Sequence, residues 1–409
     1  MPVNLTTPEA ASLRQVEGVE LACAAAGIRK DGRNDVMLMR LAPGSRIAGV
    51  FTRNAFAAAP VQVCRRHLAS GASIRGLVVN AGNANCGTGE AGLSAADRSC
   101  EAVARALGCK AGEVLPFSTG VILEPLPVER IEAVLPACAA ALSPSAWLPA
   151  AQAIMTTDTV AKAVSRRVTI EGFPVTVTGI CKGVGMLEPD MATMLAFIAT
   201  DAAIAEPVLS GLVRETADAS FNRVTVDGDT STNDSFVLIA TGRSKLPEIG
   251  SADRAAYRAL RQAIAEVAGA LAQSIARDGE GATKFITVEV RQARSQAEAV
   301  SVAKRIANSP LIKTAFFASD PNLGRLLMAI GNARVESLDP SRIDVWLGDV
   351  KVVQQGGRAA SYREEDGARV MRSPEIEVRV DLGRGEERAT VWTCDFSYDY
   401  VKINAEYRT

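Results

Sequence analysis

The sequence predicts a mixed α/β fold that ends in a smaller α/β unit. At 409 residues the chain exceeds one average domain, so two subdomains or one large α/β unit are expected. Short apolar segments between polar turns fill residues 16–52 and suit an antiparallel or mixed sheet. Alanine-rich helical segments follow at about 125–141 and 251–277, between further strands. Residues 295–348 show the pattern helix, strand, helix, strand, which suggests the smaller unit. Residues 354–372 are charged and irregular and predict a loop.

The composition is that of an ordinary soluble protein. Apolar residues make up 48% of the chain, and 45 basic residues balance 46 acidic ones. This charge balance predicts neither a nucleic-acid partner nor a membrane surface. The N-terminal residues lack a basic region followed by an apolar stretch, and no run of about eighteen apolar residues follows, so a cytoplasmic location is expected.

The cysteine and histidine contents exclude several kinds of site. Eight cysteines are scattered without a Cys-x-x-Cys pair, which argues against a zinc ribbon or a disulfide framework and predicts small buried residues. His67 is the single histidine, and its basic, helix-like context predicts a surface residue. Chemistry based on paired histidines is excluded, so an enzyme with this sequence must find its base elsewhere.

The stretch from Lys182 to Asp201 is the most informative in the chain. It begins as a loop punctuated by glycine and ends as an apolar run that predicts a buried strand. Thr193 lies at the junction, where a hydroxyl could act as a nucleophile. A threonine hydroxyl needs an adjacent base, and its own α-amine serves once the preceding Ala192–Thr193 bond is cut. The simpler alternative is a loop entering a strand, with Thr193 as a cap or packing residue.

Two other strand-to-loop junctions carry small polar residues. Asn80, Asn83 and Asn85 follow one predicted strand, where they could line or support a site or simply form a turn. Thr119 and Gly120 follow the next strand. Their peptide N–H groups and the threonine hydroxyl could stabilise a developing oxyanion, the main electrostatic requirement of acyl transfer.

Acidic residues in the second half of the chain are candidates for binding a metal or a substrate. Asp227, Asp229 and Asp234 suggest calcium by their spacing, but the EF-hand glycine and terminal glutamate are missing and strands are expected on both sides, so no metal is predicted. Glu280 follows the end of a long helix between two glycines, which could direct it at a ligand or leave it in solvent.

These segments resemble the ornithine acetyltransferase (glutamate N-acetyltransferase) family of arginine biosynthesis, in which the chain cuts itself before the threonine of an Ala-Thr-Met-Leu sequence. The resemblance covers residues 18–409. Its motifs in this chain are Ser118 to Ile122, Thr156 to Thr159, Lys182 to Asp201, and Val226 to Asp234. It implies a layered α-β-β-α sandwich of mixed sheets, processed into chains 1–192 and 193–409. The second chain would include the smaller subdomain at about 295–409.

The resemblance also implies a role for each site residue. Thr193 is the expected nucleophile, with its freed amine as base, and Thr119 and Gly120 form the oxyanion hole. The expected substrate contacts are Thr159, Lys182, Thr193, Glu280, Asn404 and Thr409, with Thr157 as a further contact. Glu280 is expected at the amine-bearing end of the substrate and Lys182 at a carboxylate. Departures from the family pattern are Leu123 and Ala318 in place of glycine, and Leu323 in place of tryptophan.

The implied reaction moves an acetyl group from N-acetylornithine to glutamate through an acetyl-threonine ester, without a cofactor. The sequence leaves open whether acetyl-CoA also serves as donor. Two copies of each processed chain are expected to associate. Two alternatives remain: a self-processed aminopeptidase or amidase of similar fold, in which water accepts the acyl group, and a metabolite-binding protein in which Thr193 is structural.

Overall fold

The computed structural model describes residues 2–29, 32–188 and 194–406. Fifteen strands and eleven α-helices are defined within these ranges. The strands are β1 (Val19–Ala24), β2 (Val36–Leu41), β3 (Arg46–Phe51), β4 (Gly76–Asn83), β5 (Val114–Val121), β6 (Lys162–Ile170), β7 (Phe173–Lys182), β8 (Leu195–Thr200), β9 (Ser235–Ala240), β10 (Phe285–Ala293), β11 (Asp344–Leu347), β12 (Val350–Gln354), β13 (Gly357–Arg358), β14 (Glu375–Asp381) and β15 (Glu387–Cys394).

The helices alternate with these strands along the chain. They are α1 (Ala59–Ala69), α2 (Gly89–Leu107), α3 (Val128–Ala140), α4 (Trp147–Ala153), α5 (Glu206–Ala219), α6 (Ala255–Arg277), α7 (Gln296–Ala307), α8 (Pro310–Phe317), α9 (Leu323–Gly331), α10 (Glu364–Met371) and α11 (Tyr398–Ala405). Within the described part of the chain, every helix is too short or too polar to cross a membrane.

Two mixed sheets form the main body. The first has the order β1-β2-β4-β5, with a parallel pair between β4 and β5. The second has the order β3-β9-β8-β7-β6, with a parallel pair between β8 and β9. β7 and β8 pair antiparallel, from Lys182 opposite Leu195 onward. The residues before and after the predicted cleavage site therefore belong to neighbouring strands of one sheet.

The alternation of side chains along the strands builds four layers. In β2, Met37 and Met39 face the core between the two sheets, whereas Val36 and Leu38 face the outer helices α2 and α3. Such strands are apolar on both faces because both faces are covered. In β9, Val237 faces the intersheet core and its neighbour Phe236 faces α5 and α6. The order helices, sheet, sheet, helices confirms the predicted α-β-β-α sandwich.

A third sheet forms the smaller unit, in the order β13-β12-β11-β14-β10-β15. Its apolar core includes residues of α7, α8, α9 and α10. β10 already belongs to this sheet, so the sheet begins ahead of residue 295. Leu323, the first residue of α9, packs partly buried against this core. Ala318 lies in the right-handed region at the end of α8 (φ −71°), where no glycine is required.

Four local predictions were wrong. Residues 295–348 form three helices and then a strand (α7, α8, α9 and β11) instead of helix, strand, helix, strand, and 354–372 contains α10. Asp227 to Asp234 follow α5 and a short 3₁₀ helix instead of a strand. His67 is buried, and its Nδ1 lies 2.7 Å from the Val114 carbonyl oxygen, because α1 packs against β5. The eight cysteines are free thiols and six of them are buried, as predicted.

Candidate active site

A polar cavity of about 290 Å³ lies where the two sheets of the sandwich meet. It is bounded by the carboxyl ends of β5 and β7 and by the residues just ahead of β8 and β9. Its lining residues are Ala84, Thr119, Gly120, Val121, Ile122, Thr156, Thr157, Lys182, Gly183, Gly185, Met186, Met194, Leu195, Ser231, Thr232, Asn233, Asp234, Glu280 and Asn404. Six of the predicted site residues, Thr157 among them, are thus brought together from five separate parts of the chain.

Thr119 and Gly120 form one wall at the end of β5. Gly120 is paired with Gly82 of β4 and has a φ of +135°, which an L-residue rarely adopts. A Cβ on Gly120 would lie 2.2 Å from the Gly82 carbonyl carbon and 2.5 Å from the Asn83 nitrogen. Glycine is therefore required at this position. The Lys182 ammonium donates to the Thr119 hydroxyl at 3.3 Å, so a cation lies beside the predicted oxyanion hole.

The loop that follows β5 contains a residue in an unfavourable conformation. Leu123 has a φ of +69°, in the left-handed region that favours glycine, and its side chain is mostly exposed. Leucine in place of glycine at position 123 therefore introduces backbone strain.

Glu280 and Asn404 form the opposite wall. The Glu280 amide donates to the Val184 carbonyl at 2.9 Å, and Asn404 Nδ2 donates to Glu280 Oε2 at 2.8 Å. A Cβ on Gly185 would lie 2.5 Å from that same oxygen, so Gly185 leaves room for the carboxylate. α11 brings Asn404 to the cavity.

The remaining predicted residues have different placements. Thr156 and Thr157 line the cavity, whereas the Thr159 hydroxyl donates to the Asp278 carboxylate and Thr159 is not part of the lining. Ala192, Thr193 and Thr409 lie outside the described residues. Met194, which follows Thr193 in the sequence, borders the cavity.

The acidic loop between α5 and β9 supports the segment that leads toward the predicted nucleophile. Asp227 accepts hydrogen bonds from the amides of Met186 and Leu187, both at 2.7 Å. The Thr230 hydroxyl donates to the Glu188 carbonyl at 2.9 Å. In the described ranges, no group of three or more His, Cys, Asp or Glu side chains is arranged to hold a metal.

The asparagines act as cross-links behind the cavity. Asn233 Nδ2 donates to the carbonyls of Ala84 at 2.6 Å and Ser118 at 2.9 Å, and so connects the acidic loop to the residue after β4 and to β5. Asn80 accepts from the Ser118 hydroxyl at 2.6 Å, and Asn83 accepts from the Asn85 amide at 2.7 Å. Among the two roles weighed for the asparagines at 80, 83 and 85, these contacts favour support of the site.

Sequence analysis did not assign Asp234 to the cavity. Asp234 is 2% exposed, and its Oδ2 has no hydrogen-bond partner among the residues that the structure describes. Burial raises the pKa of Asp234 well above its ordinary value, while a hydrogen bond from Ser231 and the nearby Lys182 charge lower it. The sequence feature that could have identified Asp234 is its position directly ahead of the apolar run of β9. A polar residue at that junction lies at the same edge of the sheets as Thr119 and Lys182.

The raised pKa predicts how the stability depends on pH. Below about pH 4, where folded and unfolded Asp234 are both protonated, this residue costs no stability. As pH rises, the unfolded state loses its proton first, and stability falls by roughly 1 kcal/mol per pH unit until the folded pKa is passed. We therefore expect Asp234→Asn to gain stability relative to the wild type from pH 4 to pH 7 in urea unfolding. Parallel pH curves for the two proteins would contradict this interpretation.

The fold and the cavity define an α-β-β-α sandwich protein with a polar cleft at the junction of its two central sheets. The ArgJ family model matches residues 20–409, and the chain belongs to the ArgJ family. It is an enzyme of arginine biosynthesis, an ornithine acetyltransferase (glutamate N-acetyltransferase).

Similar solved structures include two from this family. The arginine biosynthesis bifunctional protein ArgJ of Bacillus halodurans is 38% identical, covering 51% of this chain and 97% of that chain, with a TM-score of 0.49. The ornithine acetyltransferase of Mycobacterium tuberculosis, complexed with ornithine, is 34% identical, covering 45% of this chain and 98% of that chain, with a TM-score of 0.40. The L-aminopeptidase D-Ala-esterase/amidase of Ochrobactrum anthropi is 11% identical, covering 68% of this chain and 88% of that chain, with a TM-score of 0.38.

Proposed function

We propose that the enzyme transfers the acetyl group of N-acetylornithine to the amino group of glutamate, with Thr193 as the nucleophile. The observation that supports this most is the shared cavity of Thr119, Gly120, Lys182, Glu280 and Asn404, which Met194 also borders. Family membership supports the class of reaction. The residue roles and the order of steps are our proposal.

The nucleophile is first made by self-cleavage. The Thr193 hydroxyl attacks the Ala192 carbonyl carbon, and the Ala192 acyl group moves from the Thr193 nitrogen to the Thr193 hydroxyl oxygen. Water then hydrolyses the resulting ester. This leaves the chains 1–192 and 193–409, with a free α-amine on Thr193. The amine lies two bonds from the carbon that bears the hydroxyl oxygen, so it can act as the general base that this poor nucleophile needs.

Acetyl transfer then takes place in two halves. The amine of Thr193 accepts the hydroxyl proton while the oxygen attacks the acetyl carbonyl carbon of N-acetylornithine. The Thr119–Gly120 wall stabilises the oxyanion, the amine returns the proton to the leaving nitrogen, and ornithine departs. The amino group of glutamate next attacks the acetyl-Thr193 ester and loses a proton, which restores the free hydroxyl.

The charged walls of the cavity would orient the substrate. The Glu280 carboxylate, which accepts a hydrogen bond from Asn404, would accept hydrogen bonds from the free side-chain amine of the ornithine part. The Lys182 ammonium, beside Thr119, would pair with the α-carboxylate. The two opposite charges therefore match the two ends of an amino acid with a second amine.

Initial-rate kinetics test this scheme. We expect parallel double-reciprocal lines when N-acetylornithine and glutamate are varied, and exchange of labelled ornithine into N-acetylornithine in the absence of glutamate. Release of acetate to water without transfer to glutamate would favour the amidase alternative. An assay with acetyl-CoA in place of N-acetylornithine determines whether this second donor is used.

Lys182→Ala is expected to raise the KM for N-acetylornithine about 10- to 100-fold, the usual cost of losing a charged hydrogen bond, with a smaller effect on kcat. The Thr119–Gly120 backbone remains in place in this variant. Lys351→Ala, which removes an ammonium paired with Asp344 in the smaller unit, is the matched control and should leave KM unchanged. Normal saturation of the Lys182→Ala enzyme would refute the carboxylate-binding role.

A further inference from the structure

A buried ionic cluster lies behind the cavity wall. The Lys162 ammonium donates to Asp158 Oδ1 at 2.7 Å and to Asp278 Oδ2 at 2.6 Å. All three side chains are at most 1% exposed. Lys162 opens β6, whereas Asp278 follows the end of α6, so the cluster joins parts of the chain that are far apart in sequence.

Both carboxylates also accept backbone hydrogen bonds, Asp158 from two residues of the cavity wall and Asp278 from Thr159, which follows that wall in the sequence. Asp158 accepts from the amides of Gly183 at 2.8 Å and Thr156 at 3.1 Å. Asp278 accepts from the Thr159 amide at 3.0 Å and from the Thr159 hydroxyl. The residues Thr156 to Thr159 and the backbone at Gly183 are therefore connected, through the two carboxylates, to the same Lys162 ammonium group.

The cluster also fixes the wall that contains Glu280. Asp278 lies two residues ahead of Glu280 in the turn that ends α6, and the Glu280 amide donates to the Val184 carbonyl. Val184 belongs to the loop that Asp158 holds through Gly183. The buried cluster thus determines where Lys182 and Glu280 lie relative to one another. These are the two charged side chains proposed to bind the ends of the substrate.

The charges of this cluster stabilise one another. Burial alone would raise the pKa of Asp158, but the charges of Lys162 and Lys182 and hydrogen bonds to the carboxylate lower it below its ordinary value. Burial would lower the pKa of Lys162, but the two carboxylates raise it. A buried ion pair of this kind contributes little net stability compared with apolar packing, and its value lies in a fixed geometry.

We propose that Asp158, Lys162 and Asp278 are positioning residues that set the separation between Glu280 and Lys182, and through it the side-chain length of the diamino acid that the enzyme accepts. This inference rests on the proposed function of the cavity. It also makes Thr159 a positioning residue that acts through Asp278, since the Thr159 hydroxyl donates a hydrogen bond to that carboxylate.

Substrate length provides the test. The kcat/KM values for N-acetylornithine and for Nα-acetyllysine, which is one methylene longer, are measured on the wild type, Asp278→Asn and Thr159→Val. We expect the wild type to prefer the ornithine compound, and the preference to fall about 10-fold in Asp278→Asn and about 3-fold in Thr159→Val, mainly through KM. Loss of stability alone would lower both rates together and leave their ratio unchanged.

A matched control removes a similar hydroxyl from another part of the fold. Thr241, at the far end of β9, donates its hydroxyl to the Glu17 carbonyl at 2.6 Å. Thr241→Val should lose stability without any change in the ornithine-to-lysine ratio. An unchanged ratio in Thr159→Val, and in Asp278→Asn where that variant folds, would overturn the inference.

The outcome for the cluster is separable from the outcome for the proposed function. A wild-type enzyme that fails to transfer acetyl to glutamate would contradict the proposed function. Calorimetric binding of ornithine and lysine to the same variants then measures length selection without the reaction. A ratio of affinities that falls in Thr159→Val supports the positioning role, and one that stays constant refutes it.

Discussion

Gly120→Ala is expected to lower kcat/KM for acetyl transfer by at least about 100-fold, the effect of losing one oxyanion donor. The new Cβ would lie 2.2 Å from the Gly82 carbonyl carbon, a distance that only a shift of the β4–β5 pair can relieve. The φ of +135° adds strain for any residue with a side chain. The change therefore moves the Thr119–Gly120 amides away from the position where charge develops.

The matched control for this prediction is Gly112→Ala. A Cβ on Gly112, in the short turn ahead of β5, would meet no atom within 4 Å. We expect this variant to keep wild-type kinetics and thermal stability. A Gly120→Ala enzyme with activity close to the wild type would show that the end of β5 has no part in stabilising the oxyanion.

Lys162→Met should cost about 3–5 kcal/mol of stability, because it leaves two buried carboxylates without their ammonium. The depressed pKa of Asp158 means that the Lys162 contribution is complete above about pH 4 and is lost as pH falls through the folded pKa of Asp158. The difference in urea midpoint between wild type and Lys162→Met should therefore be large at pH 7 and shrink below pH 4.

Lys313→Met is the matched control for the buried charge. The Lys313 ammonium is also buried, but it donates to the Thr393 hydroxyl and the Cys394 carbonyl instead of to carboxylates. Removing it should cost less than removing Lys162, and the cost should not shrink below pH 4. Equal losses with equal pH dependence in the two variants would contradict the account of the ionic cluster.

The resemblance to one family implied the sandwich, and the strand sequences agree with strands covered on both faces, since β2 is apolar except for Arg40 and β9 except for Ser235. The expected pattern of helix, strand, helix, strand over residues 295–348 fails at α8, which follows α7 as a second helix. The helical signal was present there: Ser309 accepts from the Ile312 amide as N-cap and Pro310 takes the first helical position. The loop expected over residues 354–372 fails at α10 for a similar reason, since three acidic residues occupy the first turn.

The candidate site residues could be named from the sequence because family motifs indicate long-range proximity that spacing alone cannot show. Lys182 lies 63 residues from Thr119 in sequence, and the resemblance of both segments to one family placed them in one site. The ionic cluster joins Asp158 to Asp278 across 120 residues of sequence, and no local pattern marks Lys162 as its centre. Long-range polar contacts of this kind depend on how the sheets and helices pack, which the local sequence does not encode.

The central claim is that Thr193 becomes a nucleophile by cutting the chain ahead of itself. Intact mass under denaturing conditions, measured on the purified wild type and on Thr193→Ala, tests it most directly. The account predicts two wild-type fragments that meet between Ala192 and Thr193, and a Thr193→Ala chain that stays at full length. A wild-type chain that remains whole, or a Thr193→Ala chain that is still cut at the same bond, would contradict it.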